Sequence, residues 1–296
     1  MSALNRSIAL AGAGAIGIPI IRALLNRPNH PKVVVLTRPG SKKDLPSDLS
    51  SATVIPVDYT DVAALTALFK EHNIEVVISA VSPPGYVTTQ HALADAAKAS
   101  GSVKLFVPSE WGVPTEGAKG EDNLFSVKDE LAEYLKSIGL PYTRFFTGLF
   151  MGFIPWVTGG DVDSSNVYIQ GTGKTPFTTT SEEDIGGFVA HVLTSLPLTS
   201  PDLVNASLRI QGQKITLQEC ARFLNKSIVL VAEGESIPAK TDEEKHFKAL
   251  VQTQIEGGMA STGWDRRTNR EIEGAAGSAN KLWEGHVWQT VGSSST

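Results

Sequence analysis

Apolar positions in the first half of the chain fall in short unbroken runs, and the segments between them repeat with helical spacing. Ser7 to Ala11 is one such run. The glycine-rich AGAGAIG follows from Ala11, and Ile18 to Leu25 is apolar enough for a buried helix. Val33 to Leu36, Thr53 to Val57, Val76 to Val81 and Lys104 to Val107 read as four more strands. Val62 to His72 places Val62, Leu65, Leu68 and Phe69 on one helical face, and Thr89 to Ser100 is an alanine-rich helix stopped by Gly101. Ser126 to Ile138 aligns Val127, Leu131, Tyr134, Leu135 and Ile138 in a stripe ending at Gly139, and Tyr142 to Phe146 is a sixth strand. Strands that are apolar on both faces and separated by helices belong to a parallel sheet, because a parallel crossover needs a helix to return.

The expected fold is therefore α/β, a Rossmann-type doubly wound parallel sheet over residues 1–150 with return elements at about 182–212. A smaller C-terminal α/β substrate lobe is expected from 151–181 and 213–296. Within it, GTGK at Gly171 to Lys174 reads as a hairpin turn. Ser181 with Asp184, Thr216 with Glu219 and Thr241 with Glu244 each have the spacing of a capping box. Gly257 to Asn280 is polar and glycine-rich and reads as loops, and Ser293 to Thr296 as a frayed end. No internal repeat is visible.

Composition narrows the function classes. A 41% hydrophobic and 19% charged chain of 296 residues is ordinary for a soluble globular protein. A net charge of −5 gives no basic face for nucleic acid. The one cysteine, Cys220, forms no internal disulfide, and no signal-peptide layout opens the chain, so a cytoplasmic protein is expected. The apolar run from Ile8 to Ile21 is too short for a membrane span and is interrupted by three glycines. No histidine stands in a metal-type spacing and no G-x-S-x-G is present, so metal and hydrolase chemistry are not expected.

Gly12, Gly14 and Gly17 match G-x-G-x-x-G directly after a strand and at a helix start, with Ala15 and Ile16 inside the turn. The first glycine permits the tight turn, the second lets a pyrophosphate reach the backbone, and the third allows close helix–strand packing. An NAD site usually carries an acid about 20 residues further on, for the ribose hydroxyls. Here the strand ends at Thr37 and Arg38, with Lys42 and Lys43 behind. A guanidinium offers paired donors to a 2′-phosphate where a carboxylate would repel it, so the expected cofactor is NADP (NADPH). Asp58, after the third strand, reads either as an adenine contact or as a turn residue.

The Tyr-x-x-x-Lys pair of short-chain dehydrogenases is absent. Residues four after Tyr59, Tyr86, Tyr134, Tyr142 and Tyr168 are Ala63, Gln90, Ile138, Phe146 and Thr172. Over about residues 7 to 230 the chain instead resembles the NmrA-like and isoflavone reductase-like family of atypical short-chain dehydrogenases. AGAGAIG, LTRPGS, VVISAV, VKLFVPSEWG, FSVKDELAEYLKSIGLPYT and EEDIGGFVAHVL carry the likeness. VPSEWG looks like the family's F-x-P-S-E-F-G, which implies cofactor contacts at Pro108, Ser109 and Glu110. It also implies a general acid or base at Lys128, near the start of the next helix.

The residues themselves support that role: Lys128 falls in the first turn after Ser126, at the edge of the buried stripe, where the helix dipole disfavours an ammonium. A surface lysine laid along an amphipathic helix is the alternative. Glu110 either holds Lys128 or caps its loop. Ser79, Ala80 and Val81 end a strand at the carboxyl edge of the sheet, where small residues suit a crossing cofactor or a packed core. Gln90 resembles a family position near the cofactor, or is simply an exposed helical residue. Phe150, Phe153 and Trp156 form an apolar cluster that suits an aromatic ligand or packing between lobes.

These features imply an NADPH-dependent oxidoreductase acting on a small aromatic or polycyclic metabolite, with no nucleic-acid or membrane partner and with room for a homodimer. An NADP-sensing regulator without activity and a cofactor-assisted cyclase with no net redox change are the alternatives. The chain departs from the family's G-G-T-G-Y-I-G turn at Ala11, Ala13 and Ala15, and has Gly148 where an asparagine is common.

Overall fold

The computed structural model describes residues 5–40, 45–121, 123–232 and 234–292. Lys42, Lys43 and the expected frayed end at 293–296 lie outside the described residues. The chain divides into two compact units. One comprises Met1–Trp111, Thr115–Phe145 and Ile185–Leu208, the other Gly112–Pro114, Phe146–Asp184 and Arg209–Thr296.

In the first unit, β1 (Ser7–Ala11) is central to a five-stranded parallel sheet. It pairs with β2 (Lys32–Thr37) and β4 (Val76–Ser79), and the sheet is completed by β3 (Thr53–Pro56) and β5 (Leu105–Val107) in the order β3-β2-β1-β4-β5. The strand order reverses between β1 and β4, which is where doubly wound sheets place their ligands. Residues 8–11, 33–36, 76–78 and 105–107, the bulk of β1, β2, β4 and β5, are apolar and buried, as a sheet covered on both faces demands.

The crossovers run through α1 (Gly17–Leu25), α2 (Val62–Glu71), α3 (Thr88–Ser100) and α4 (Leu124–Ser137). Asp61 caps α2 by accepting from the Ala64 amide, and Gly101 ends α3 in the left-handed conformation at φ 69°. Leu65, Phe69, Leu93, Leu131 and Leu135 pack from these helices against Val34, Val77 and Phe106. Tyr142, just before β6 (Thr143–Phe146), bridges in parallel to Phe106 of β5, and β6 itself pairs with a later strand, β10 (Ala206–Arg209).

The helix expected from Ser126 starts earlier. Asn123 is its cap, accepting from the amides of Phe125 and Ser126 at 2.8 and 3.4 Å. Ser126 Oγ instead accepts from the Gly120 amide and donates to Glu130. Lys128 consequently sits in the second turn, where the field of the helix end is weaker than the expected first-turn position would give.

In the second unit, β7 (Leu149–Phe150) leads through a one-turn 3₁₀ segment into α5 (Ile154–Val157). GTGK does not close a hairpin. The strand before it, β8 (Asn166–Gln170), pairs in parallel with β12 (Ser227–Val231). The strand after it, β9 (Phe177–Thr180), pairs with β7 and β11 (Gln213–Ile215). The Glu256 carboxylate holds this turn, accepting from the Thr172 and Gly173 amides at 2.8 and 3.2 Å.

α6 (Glu182–Ser195), α7 (Leu217–Phe223) and α8 (Asp242–Glu256) begin where the Ser/Thr caps were expected. The reciprocal box is complete at Thr216 with Glu219. Asp184 turns instead to His286 and the Gln289 amide, and Glu244 reaches the Lys240 amide. Within 257–280 the two-residue strands β13 (Trp264–Asp265) and β14 (Arg270–Glu271) interrupt the expected loops. Ile154, Val167, Phe177, Leu217 and Ile255 form the core of this unit. Among the described residues, no helix is long and apolar enough to cross a membrane.

Candidate functional site

The turn between β1 and α1 is held at the switch point of the sheet. The Gly12 amide donates to Leu36 O at 3.2 Å, and the Ala80 amide donates to Ala11 O at 2.8 Å. Gly12 has φ +102°, and a Cβ there would stand 2.6 Å from Ala80 O. A Cβ on Gly17 would stand 2.0 Å from Gly12 O, so the third glycine is required by the turn itself. A Cβ on Gly14 would meet nothing within 4 Å. The space in front of Gly14 is thus open, as a pyrophosphate contact needs. Ala15 is exposed and Ile16 buried, and α1 has neither a side-chain cap nor an acid in its first turn. The Ile18 and Ile20 amides are taken by Gly14 O and Ile16 O and Pro19 has none, so what this end offers an anion is the positive end of the helix dipole.

Arg38 is exposed just past β2 and makes no ion pair among the described residues. Its charge acts on Tyr59, whose phenol burial pushes up while the guanidinium draws it back. Tyr59 Oη donates to Leu36 O at 2.8 Å, tying this phenol to the end of β2, and Thr37 O accepts from the Val57 amide at 2.8 Å. Asp58 is a turn residue: its carboxylate accepts from the Thr60 amide and hydroxyl at 2.8 and 2.7 Å, which lowers its pKa.

A continuous set of contacts leads from the glycine turn to Lys128. β4 ends at Ser79, short of the expected Val81, leaving Ala80 and Val81 as loop backbone beside Gly12. Ser79 Oγ is buried without a hydrogen-bond partner, whereas Ser79 O accepts from Trp111 Nε1 at 2.8 Å. Val81 O accepts from Ser109 Oγ at 2.9 Å, and the Ser109 amide donates to Gln90 Oε1 at 2.7 Å. Gln90, expected on the surface as one of two readings, is 1% exposed and braces this loop. Its Nε2 donates to Tyr86 O at 3.2 Å, and the Lys128 ammonium lies 4.8 Å from the Tyr86 ring centre. Lys128 is 8% exposed and Nζ donates to Glu110 O at 2.5 Å. It is therefore no snorkelling surface lysine.

The loop carrying these groups is tight. Pro108 O accepts from the Glu110 amide at 2.8 Å, and Trp111 takes the left-handed φ of 41°. The Trp111 ring stacks on Phe145 at 5.7 Å. Glu110 resolves the two expected roles between its two ends: the carbonyl takes Lys128, while the carboxylate accepts from Arg144 Nε at 2.8 Å and from the Thr115 hydroxyl. Arg144 was not among the expected site residues. Its signal was a lone cation in the apolar strand TRFF, with no local feature naming its partners.

In the second unit, Phe150, Phe153 and Trp156 are half-buried and stand outside the packed core. Their rings form a ladder with centre distances of 5.4 and 6.1 Å, continued to Phe247 on α8 at 5.8 Å. Lys248, fully buried, fixes one end, with Nζ 2.6 Å from Asp161 and 5.0 Å from the Trp156 ring centre. Gly148, at φ +68°, would bring a Cβ within 2.4 Å of Thr178 O, so the asparagine common there has no room. Among the described residues, no group of three or more His, Cys, Asp or Glu could hold a metal.

A family model described as NmrA-like matches residues 5–292. The chain belongs to the NmrA-like family. This NmrA-like protein is 30% identical over 234 residues to the oxidoreductase BOA1 of Botryotinia fuckeliana, across 69% of the chain and 75% of the relative. It is 26% identical over 280 residues to an isoflavone reductase of Medicago sativa, across 86% of the chain and 84% of the relative. Among solved structures it is similar in fold to leucoanthocyanidin reductase from Vitis vinifera in its binary complex with NADPH, with a TM-score of 0.76 at 20% identity over 97% of each chain.

Proposed function

We propose that the protein is an NADPH-dependent oxidoreductase that reduces a small aromatic or polycyclic metabolite, with Lys128 as its general acid or base. The observation that carries this reading is the buried Lys128 ammonium, held on Glu110 O and over the Tyr86 ring and linked through Gln90 and Ser109 to the backbone beside Gly12. Two of its relatives are named as an oxidoreductase and an isoflavone reductase, which agrees with it.

The residues fit NADPH: open space at Gly14, a helix start at α1 with no side-chain cap and no acid, an unpartnered Ser79 hydroxyl and an exposed Arg38. The turn at Gly14 to Ile16 and the N-terminal end of α1 would hold the pyrophosphate, Arg38 the 2′-phosphate, and Ser79 to Val81 with Pro108 to Glu110 the nicotinamide end. When bound, the cofactor supplies a hydride. Lys128 Nζ then gives a proton to the substrate atom that gains negative charge, and Glu110 O keeps Nζ oriented throughout. Phe150, Phe153 and Trp156 would bind the aromatic substrate by stacking.

The test pairs cofactor titration with turnover. Wild type is screened for NADPH consumption with aromatic ketones, imines and benzylic ethers, and Lys128→Met is compared on any acceptor found. Lys128→Met should bind NADPH as wild type does, while kcat falls by about 10²- to 10⁴-fold. A wild type that binds NADPH but consumes it with no acceptor, or a Lys128→Met of full activity, would overturn the reading.

A further inference from the structure

We infer that Arg144 is a positioning residue for Lys128: one buried guanidinium binds the carboxylates of Glu110, whose carbonyl holds the lysine, and of Asp129, on the lysine's own helix, and so sets the place of the amine and keeps those acids from it. The inference uses the proposed role of Lys128 but concerns the state of its amine, which can be read without any substrate.

Arg144 lies on β6 and is 4% exposed. Nε reaches Glu110 at 2.8 Å, Nη1 reaches Asp129 at 3.1 Å, and Nη2 donates to the Thr115 hydroxyl. Glu110 and Asp129 are themselves buried. The second Asp129 oxygen accepts from the Gly117 and Lys119 amides at 2.9 and 3.3 Å. Burial opposes the charge on Arg144, but Glu110, Glu116 and Asp129 outweigh it and raise its pKa. The Glu116 carboxylate is also held, accepting from the Ser207 hydroxyl at 2.9 Å.

Two of these residues are tied to Lys128. It donates to the carbonyl of Glu110, and Asp129 is its neighbour in sequence. Its amine contacts the Glu110 carbonyl and the Tyr86 ring, while the Glu110 and Asp129 carboxylates are bonded to Arg144. Arg144 also pins three segments together: the loop at Glu110, the turn at Thr115 to Lys119, and α4 through Asp129. That fixes where Nζ can point. Removing the guanidinium while keeping the acids leaves buried anions beside an ammonium. Such an arrangement holds a lysine proton more firmly and draws Nζ off the carbonyl.

The test is trace labelling of the full-length protein with acetic anhydride across a pH series, read at Lys128 by peptide mass spectrometry, with exposed Lys104 as internal control. In Arg144→Met the pH of half-maximal labelling at Lys128 should rise by about one unit, with Lys104 unmoved. Adding Glu110→Gln removes the uncompensated anion and should bring most of that rise back. Arg144→Lys, which keeps the charge but not the fork, covers the case in which Arg144→Met does not fold, and should shift Lys128 in the same direction by less. A Lys128 midpoint that stays at the wild-type value in any folded Arg144 variant would overturn the inference. Full activity of Lys128→Met would instead overturn the catalytic role while leaving this result standing.

Discussion

Two alanine substitutions in one glycine motif should separate shape from binding. At Gly17 the new Cβ would lie 2.0 Å from the carbonyl oxygen of Gly12, more than an ångström inside ordinary contact, and that neighbour is backbone. The turn must open. Overpacking of this kind costs about 1–3 kcal/mol, and for a domain of this size each kcal/mol lowers Tm by about 2–4 °C. Gly17→Ala should therefore lose several degrees of Tm and also bind NADPH poorly. At Gly14 the new Cβ meets nothing within 4 Å and the backbone needs no left-handed angle. Gly14→Ala should keep its Tm or gain slightly, because alanine restricts the unfolded chain. Its methyl group, however, stands where the pyrophosphate approaches, and a loss of about 1.4–2.8 kcal/mol would weaken NADPH binding by about 10- to 100-fold. Scanning calorimetry and fluorescence titration of each variant measure both quantities. A Gly14→Ala protein with wild-type NADPH affinity would refute the idea that the open space is the phosphate seat.

Three further outcomes follow from individual contacts. Arg38→Ala should weaken NADPH by about 10- to 100-fold and leave NADH unchanged in parallel titrations, since a charge-assisted bond is worth about 1.5–3 kcal/mol. Trp111→Phe keeps a ring against Phe145 but leaves the carbonyl of Ser79 without its donor. It should cost about 1–2 kcal/mol by urea denaturation. Burial pushes the Cys220 thiol up to about 12, from an unfolded value near 9. The folded chain keeps that proton while the unfolded chain loses it, so this group's contribution falls as pH rises through that window. At pH 8 the thiol should resist a disulfide reagent until urea unfolds the protein.

The parallel sheet was legible because its strands are buried on both faces and are written as continuous apolar runs, such as Val33 to Leu36 and Val76 to Ile78. The glycine turn was legible because its constraint is local: Gly17 answers to Gly12, five residues away. GTGK misled for the opposite reason. Its glycines do make a turn, but whether the flanking strands pair is decided by β12 and β11, far along the chain. Asn123 and Ser126 are both good caps three residues apart, and only the Gly120 amide, which occupies Ser126 Oγ, decides between them. Arg144 gathers partners from 15 to 34 positions away. Nothing in the local sequence marks such a set, although a cation within an apolar strand signals that some partner exists.

A structure of the protein with NADP⁺ bound tests the central claim most directly. The expected result has the pyrophosphate against Gly14, the 2′-phosphate within hydrogen-bond reach of Arg38, and the nicotinamide ribose within reach of Lys128 Nζ. Adenosine seated away from Arg38, or a nicotinamide turned away from Lys128, would contradict it.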